Sequence, residues 1–276
     1  MRTMPMAAWC VPRAGSSNVT ATNTLGRIGA LKNAATGSSF TVNGNTASSA
    51  ANVNIASNAL SLNALSALNS TARVSNTQTT ADAVVTATTG GANAGSRAAV
   101  GVAFSTADWT ALNGSPVTVS GNSLTAQGGG NTALNALEAI AVDSIAGSAN
   151  LTFVVLNTQS NVASITTTVQ FANIGATAAS FSGVNASVQS NDVVASGYGN
   201  SASNSIGLSA LSSGQNLASA SVFNRQANSA SVASIVSGIS IGVIGGSASG
   251  GASTVSGNAI TAQAICNSAS NLIIAR

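Results

Sequence analysis

Apolar and amide side chains alternate with period two through much of the chain, as in Val74-x-Asn76-x-Gln78 and Asn131-x-Ala133-x-Asn135-x-Leu137. Alternation of this kind puts one set of side chains on one face of an extended segment and the remainder on the other. Tracts such as ADAVVTATT, LTFVV and VASITTTVQF, rich in Thr and Val, reinforce the strand reading. A local helical alternative exists in NALSLNALSAL from Asn58 and NTALNALEAIA from Asn131, where Ala and Leu stand at suitable spacings.

The alternation is organised into repeats. A pattern V-x-[G/S/N]-N, followed eight residues later by N-x-A-x-N-x-[L/I], begins at Val42, Val119, Val188 and Val255, which stand 77, 69 and 67 residues apart. Its amides are Asn45, Asn54 and Asn58; Asn122, Asn131 and Asn135; Asn191, Asn200 and Asn204; and Asn258, Asn267 and Asn271. A second pattern, V-x-N-x-Q-x-[N/T], alternates with the first. It supplies Asn76 and Gln78, Asn157 and Gln159, and Asn224 and Gln226, and its last position holds Thr80, Asn161 and Asn228.

Asn is a poor residue for an ordinary strand. It becomes favourable when identical amides stack about 4.8 Å apart and hydrogen-bond in a ladder. These amides are therefore candidates for internal ladders. Gly44-Asn45, Gly121-Asn122, Ser190-Asn191 and Gly257-Asn258 read as corners. The expected fold is all-β: a repetitive β-solenoid, parallel β-helix-like, or a curled β-stack of about four degenerate repeats. A chain that orders only on assembly is the further alternative. Residues 1–38 read as a leader or N-terminal cap, and residues 39–276 as the repetitive body, with units starting near 42, 119, 188 and 255. GGANAGSR from Gly90 and GGSASGGAS from Gly245 read as loops.

Composition sharpens this picture. Aromatic residues make up 3% and charged residues 5%, so a thick globular core is hard to fill and a thin one between close walls is favoured. The basic residues are scattered and form no cluster able to neutralise several phosphates, which argues against nucleic acid as a partner. Long uncharged β segments self-associate unless their edges are covered, which suits an assembled structure outside the cytoplasm. The opening MRTMPMAAWCVPRAG makes a poor signal peptide, so export by another route or a start further upstream is expected. The apolar run Ile235 to Gly246 is Gly-broken and too short for a membrane-spanning helix. Cys10 and Cys266 read as isolated thiols.

Candidate chemistry is sparse. Histidine is absent, which removes the commonest near-neutral acid–base group and metal ligand. Asp82, Asp108, Glu138, Asp143 and Asp192 are dispersed, and the glycine tracts lack the acids of calcium-binding repeats and the Lys-Ser/Thr of a phosphate loop. No catalytic residue, metal site or cofactor is expected. Trp109 and Tyr198 are candidate adhesive contacts. Thr86-Ala87-Thr88 and Thr167-Thr168-Val169 hint at threonine rows of the sort that order water, but such a row should recur at every coil and the sequence does not repeat it so.

The tract GGGNTALNA at Gly128–Ala136, with Gln127 beside it, resembles the units of curli-type functional amyloids, although those units are much shorter. VSGNSLTAQ and VSGNAITAQ resemble the Ala/Ser/Thr/Asn-rich holdfast-anchor proteins of stalked bacteria. The resemblance implies an extracellular or outer-surface structural or adhesive protein, a fibre or envelope-anchor subunit. Its partners would be further copies of itself or other cell-envelope proteins. A non-catalytic polysaccharide- or surface-binding module is the alternative.

Overall fold

A computed structural model describes residues 6–9, 13–15, 18–30, 35–102, 112–145, 152–211 and 218–276. The described residues contain strands, turns and bends and no helix. The fold is a β-solenoid whose chain makes four turns, here called coils, each passing through the same four parallel sheets in the same order.

Coil 1 comprises β1 (Met6–Trp9), β2 (Arg13–Gly15), β3 (Val19–Thr24), β4 (Arg27–Ala30), β5 (Ala35–Thr36), β6 (Phe40–Asn43) and β7 (Thr46–Ala64). Coil 2 comprises β8 (Ala72–Thr80), β9 (Val84–Gly90), β10 (Ala98–Val102), β11 (Leu112–Asn113), β12 (Val117–Ser120) and β13 (Ser123–Ala141). Coil 3 holds β14 (Thr152–Asn161), β15 (Ser164–Ser182), β16 (Ala186–Gln189) and β17 (Asp192–Ala210). Coil 4 holds β18 (Ser219–Asn228), β19 (Val232–Ser249), β20 (Ser253–Ser256) and β21 (Ala259–Ala275).

Sheet A stacks β1 and β2 on β8, then β14 and β18. In sheet B, β15 pairs with β9, β10 and β11 on one side and with β19 on the other, and β3, β4 and β5 extend the sheet on the coil 1 side. Sheet C runs β6–β12–β16–β20 and sheet D runs β7–β13–β17–β21. The segment read as leader or cap thus contributes strands in register with the body: Val19 pairs with Val85, and Gly29 with Gly101.

The stretches with helical spacing are strand instead: the one from Asn58 runs to the end of β7 at Ala64 and into the bend after it, and the one from Asn131 is the second half of β13. Their alternate side chains face inward because neighbouring coils bury one face, and that tertiary burial overrides the Ala/Leu helix propensity. Of the two glycine tracts read as loops, the residues after Gly90 form one, whereas Gly245–Ser249 continues β19. Ile235–Gly246 also lies in β19, and no helix among the described residues is long and apolar enough to cross a membrane.

The long strands bend. In β13 the inward positions are Leu124 and Ala126, then Ala133, Leu137 and Ala139, so parity switches at Gly129–Gly130. The register passes over Gly130 and its counterparts Val53 and Gly199 together, so no residue is inserted and the strand turns at the same point in each coil. A similar switch in β15 falls at Phe171, whose φ is 49°. The bends divide the interior into two apolar columns. One holds Leu124, Ala126, Val119, Ile165, Val169 and Ile174, and the other holds Leu137, Ala139, Phe153, Val155 and Ile206. Small side chains suffice because the walls are close, as the scarcity of aromatics implied.

Candidate functional site: amide ladders and an open last coil

Parallel in-register stacking brings the repeated amides into columns along the solenoid axis. At the corner before sheet D, Asn45 Nδ2 donates to Asn122 Oδ1 at 2.8 Å, Asn122 to Asn191 at 2.9 Å, and Asn191 to Asn258 at 2.8 Å. The second amide hydrogen staples each coil to the preceding backbone: Asn122 Nδ2 to Val42 O, Asn191 to Val119 O and Asn258 to Val188 O. The preceding residue must be left-handed for this geometry, with φ of 64° at Gly44, 62° at Gly121, 54° at Ser190 and 62° at Gly257.

Within sheet D, Asn54, Asn131, Asn200 and Asn267 form a second column, with Nδ2 to Oδ1 distances of 2.8, 2.8 and 2.7 Å. Asn58, Asn135, Asn204 and Asn271 form a third, each link 2.8 Å. Sheet A carries Asn76, Asn157 and Asn224 in one column, and Gln78, Gln159 and Gln226 in another. The columns also tie the facing sheets together. Asn54, Asn131 and Asn200 donate to Thr79, Ser160 and Ala227 carbonyls of sheet A. Gln78, Gln159 and Gln226 donate in return to Thr132, Ser201 and Ser268 carbonyls of sheet D. A buried primary amide has two N–H donors, and here one runs along the axis and the other across it. Such satisfied networks avoid the cost of a buried unpaired polar group.

Four further columns lie outside the amides expected to form ladders. Thr80 donates to Asn161 at 2.7 Å and Asn161 to Asn228 at 2.6 Å, extending the ladder set by one register position. Gly29, Gly101, Gly175 and Gly242 align in sheet B with φ from 135° to 158°. A Cβ on Gly29, Gly101 or Gly175 would lie 1.8 Å from the carbonyl oxygen of the next glycine in the column. The recurring Ile-Gly or Val-Gly pair, at Ile28-Gly29, Val100-Gly101, Ile174-Gly175 and Ile241-Gly242, is the sequence signal for this column. Finally, Thr20, Thr86 and Thr166 align, as do Thr22, Thr88 and Thr168, so the threonine rows span three coils. Coil 4 ends them with Ala233 and Ile235, and Thr167 is buried. The tract aligned with Thr86-Ala87-Thr88 is Thr166-Thr167-Thr168, one residue before Thr167-Thr168-Val169, and Thr20-Ala21-Thr22 supplies the same row in coil 1.

Among the described residues the acids do not converge: Asp82 follows β8, Glu138 is exposed on β13, Asp143 accepts from Ser66 Oγ at 2.7 Å, and Asp192 opens β17. Asp108 and Trp109 lie outside the described residues, as do Cys10 and Lys32; Cys266 is an exposed free thiol. Tyr198 donates to Asn52 Oδ1 at 2.9 Å and covers Gly129 on the outside of sheet D. A hollow of about 440 Å³ beside β4 and β10 is lined by Leu25, Arg27, Arg97 and Asn173, where Arg97 donates to Asn173 Oδ1 at 2.9 Å and to Gly238 O.

The two ends of each ladder differ. Across the sheet D ladders the amide N–H points from a lower-numbered coil to a higher one. Among the described residues, the axial Oδ1 of Asn45, Asn54 and Asn58 accepts no hydrogen bond, and Nδ2 of Asn267 and Asn271 donates none. Val255, Ile260 and Ile273 are exposed on coil 4, at positions that earlier coils bury or half-bury. Comparison with protein-family models, curated proteins and solved structures found no match to the chain.

Proposed function

We propose that the chain is an extracellular structural or adhesive protein, a surface fibre or envelope-anchor subunit that self-associates through its stacked β coils. The observation that carries this reading is the set of buried amide ladders ending in an open outer coil. Ladders give a rigid rod at low cost in large side chains, and an outer parallel strand with unpaired peptide groups templates further pairing. No bond is changed in this reading, and neither metal nor cofactor takes part. The absence of histidine and the dispersal of the described acids support it.

Electron microscopy and fibre diffraction of the purified chain, with its solution mass, test the reading. Rods or filaments with a spacing of about 4.8 Å along their axis are expected. Compact particles that stay monomeric at every concentration would overturn it. The threonine rows and the Arg27–Arg97 hollow favour a second reading, a polysaccharide- or surface-binding module, for which retention on an insoluble glycan is the measurement.

A further inference from the structure

Resting on the assembly reading above, we propose that the outer face of coil 4 takes coil 1 of a second copy, head to tail, continuing the same register. Three independent features fit this occupant. The sheet D amide columns end in donors at Asn267 and Asn271, while the same columns begin in acceptors at Asn54 and Asn58. A second copy placed one rung further on brings Asn58 Oδ1 over Asn271 Nδ2 and Asn54 Oδ1 over Asn267 Nδ2. No other partner supplies acceptors at that spacing without being a coil of this kind.

The path of the chain is the second feature. Every coil visits sheets A, B, C and D in that order, coil 1 opening in sheet A with β1 and coil 4 closing in sheet D with β21. The strand that follows β21 in the ramp belongs to sheet A, where β18 has an open edge and β1 is the outermost strand. The described strands of the two end faces therefore follow one another in the same sheet order. An interface of this type is heterologous and does not close on itself, so it propagates into a filament.

The glycine column is the third. Gly29, Gly101 and Gly175 each leave room for the carbonyl of the next coil, whereas a Cβ on Gly242 meets nothing within 4 Å. Gly242 has the same backbone shape as its three counterparts, at φ 158°. The seat above it is filled in the proposed stack by the Gly29 carbonyl region of the next copy. Apolar groups follow the same logic, since Ile273 lies in register with Leu60 and Ile260 with Ala47 through the intervening coils.

Paired cysteines test the register. Ser57 and Ser270 occupy one outward row of sheet D through Leu134 and Ser203. In a single copy they are three rungs apart, about 14 Å at about 4.8 Å per rung, beyond the ~7 Å between Cα atoms that a disulfide spans. The full-length chain would carry Cys10→Ser and Cys266→Ser, with Ser57→Cys and Ser270→Cys added together or in separate, differently tagged copies. Mild oxidation is expected to give a ladder of covalent multimers from the double variant and a mixed dimer from the two single variants. Gly242→Ala is expected to leave the circular dichroism spectrum unchanged and to lower filament yield at least tenfold. Filaments without the Ser57–Ser270 cross-link, or linked only between like variants, would overturn the head-to-tail register and leave the assembly reading standing. A chain that neither assembles nor cross-links would overturn both.

Discussion

Coils 3 and 4 carry the same side chain at several paired positions, and at those positions they differ in burial and in bonding. Val188 is 0% exposed and its partner Val255 is 51% exposed; Ile206 is 1% exposed and Ile273 46%. Asn204 bonds to the coil on each side of it, whereas Asn271 bonds on one side only. At these matched positions the side chains are identical, so they do not cause the difference. The difference is the presence of a further coil, since in a solenoid each repeat is stabilised by its own contacts and by its nearest neighbours.

That contrast can be broken most severely at the glycine column. Gly175→Ala puts a Cβ 1.8 Å from the Gly242 carbonyl oxygen and is expected to cost more than about 4 kcal/mol, abolishing the cooperative thermal transition followed by circular dichroism. Gly242→Ala in the dispersed chain carries only the strain of its backbone, about 1–3 kcal/mol. Equal losses from the two substitutions would remove the distinction between inner and outer coils.

Core truncation comes next. Ile206→Ala is expected to cost about 2–5 kcal/mol, by lost transfer free energy and an unfilled cavity. Ile273→Ala, at the half-exposed position, is expected to cost under about 1 kcal/mol in the dispersed chain and more once the chain is assembled. Denaturant titration at low and high protein concentration separates the two cases.

The ladders give a smaller effect. Asn135→Leu leaves Asn58 Nδ2 and Asn204 Oδ1 without their axial partners and is expected to cost about 1–3 kcal/mol for each group left buried and unsatisfied. Asn271→Leu is expected to be near neutral in the dispersed chain, because its amide is exposed and ends the column. The smallest expected change is a gain. Ser190 alone among the four corner residues is not glycine, and Ser190→Gly is expected to stabilise the chain by up to about 1 kcal/mol by relieving its left-handed backbone. A loss there would mean that the Ser190 side chain contributes to the corner in a way its backbone does not reveal.

Much of the ladder pattern was legible before any coordinates. Asn58, Asn135, Asn204 and Asn271 recur at a fixed offset from a leading valine, and stacking is the physical reason to keep an amide where a strand would otherwise disfavour it. The Thr80–Asn161–Asn228 column occupies the last position of the same pattern, where the first member is a hydroxyl and not an amide, so amide recurrence alone does not mark it. The glycine column was harder to see. A single Ile-Gly pair has many explanations, and only the alignment of four such pairs across sheet B reveals a backbone carbonyl in the space of a missing Cβ.

The sequence by itself determined the strand period, the repeat, the corners and the identity of the stacked amides, because each depends on residues close together in the chain or on their recurrence. Only the tertiary structure decided where the long strands bend, that two apolar columns replace one, and that the threonine rows run for three coils and stop. Those features depend on which residues of different coils lie side by side, and spacings that vary between repeats do not fix that register. The burial of coil 3 and the exposure of coil 4 belong to the same class, since burial is a property of the neighbour and not of the residue.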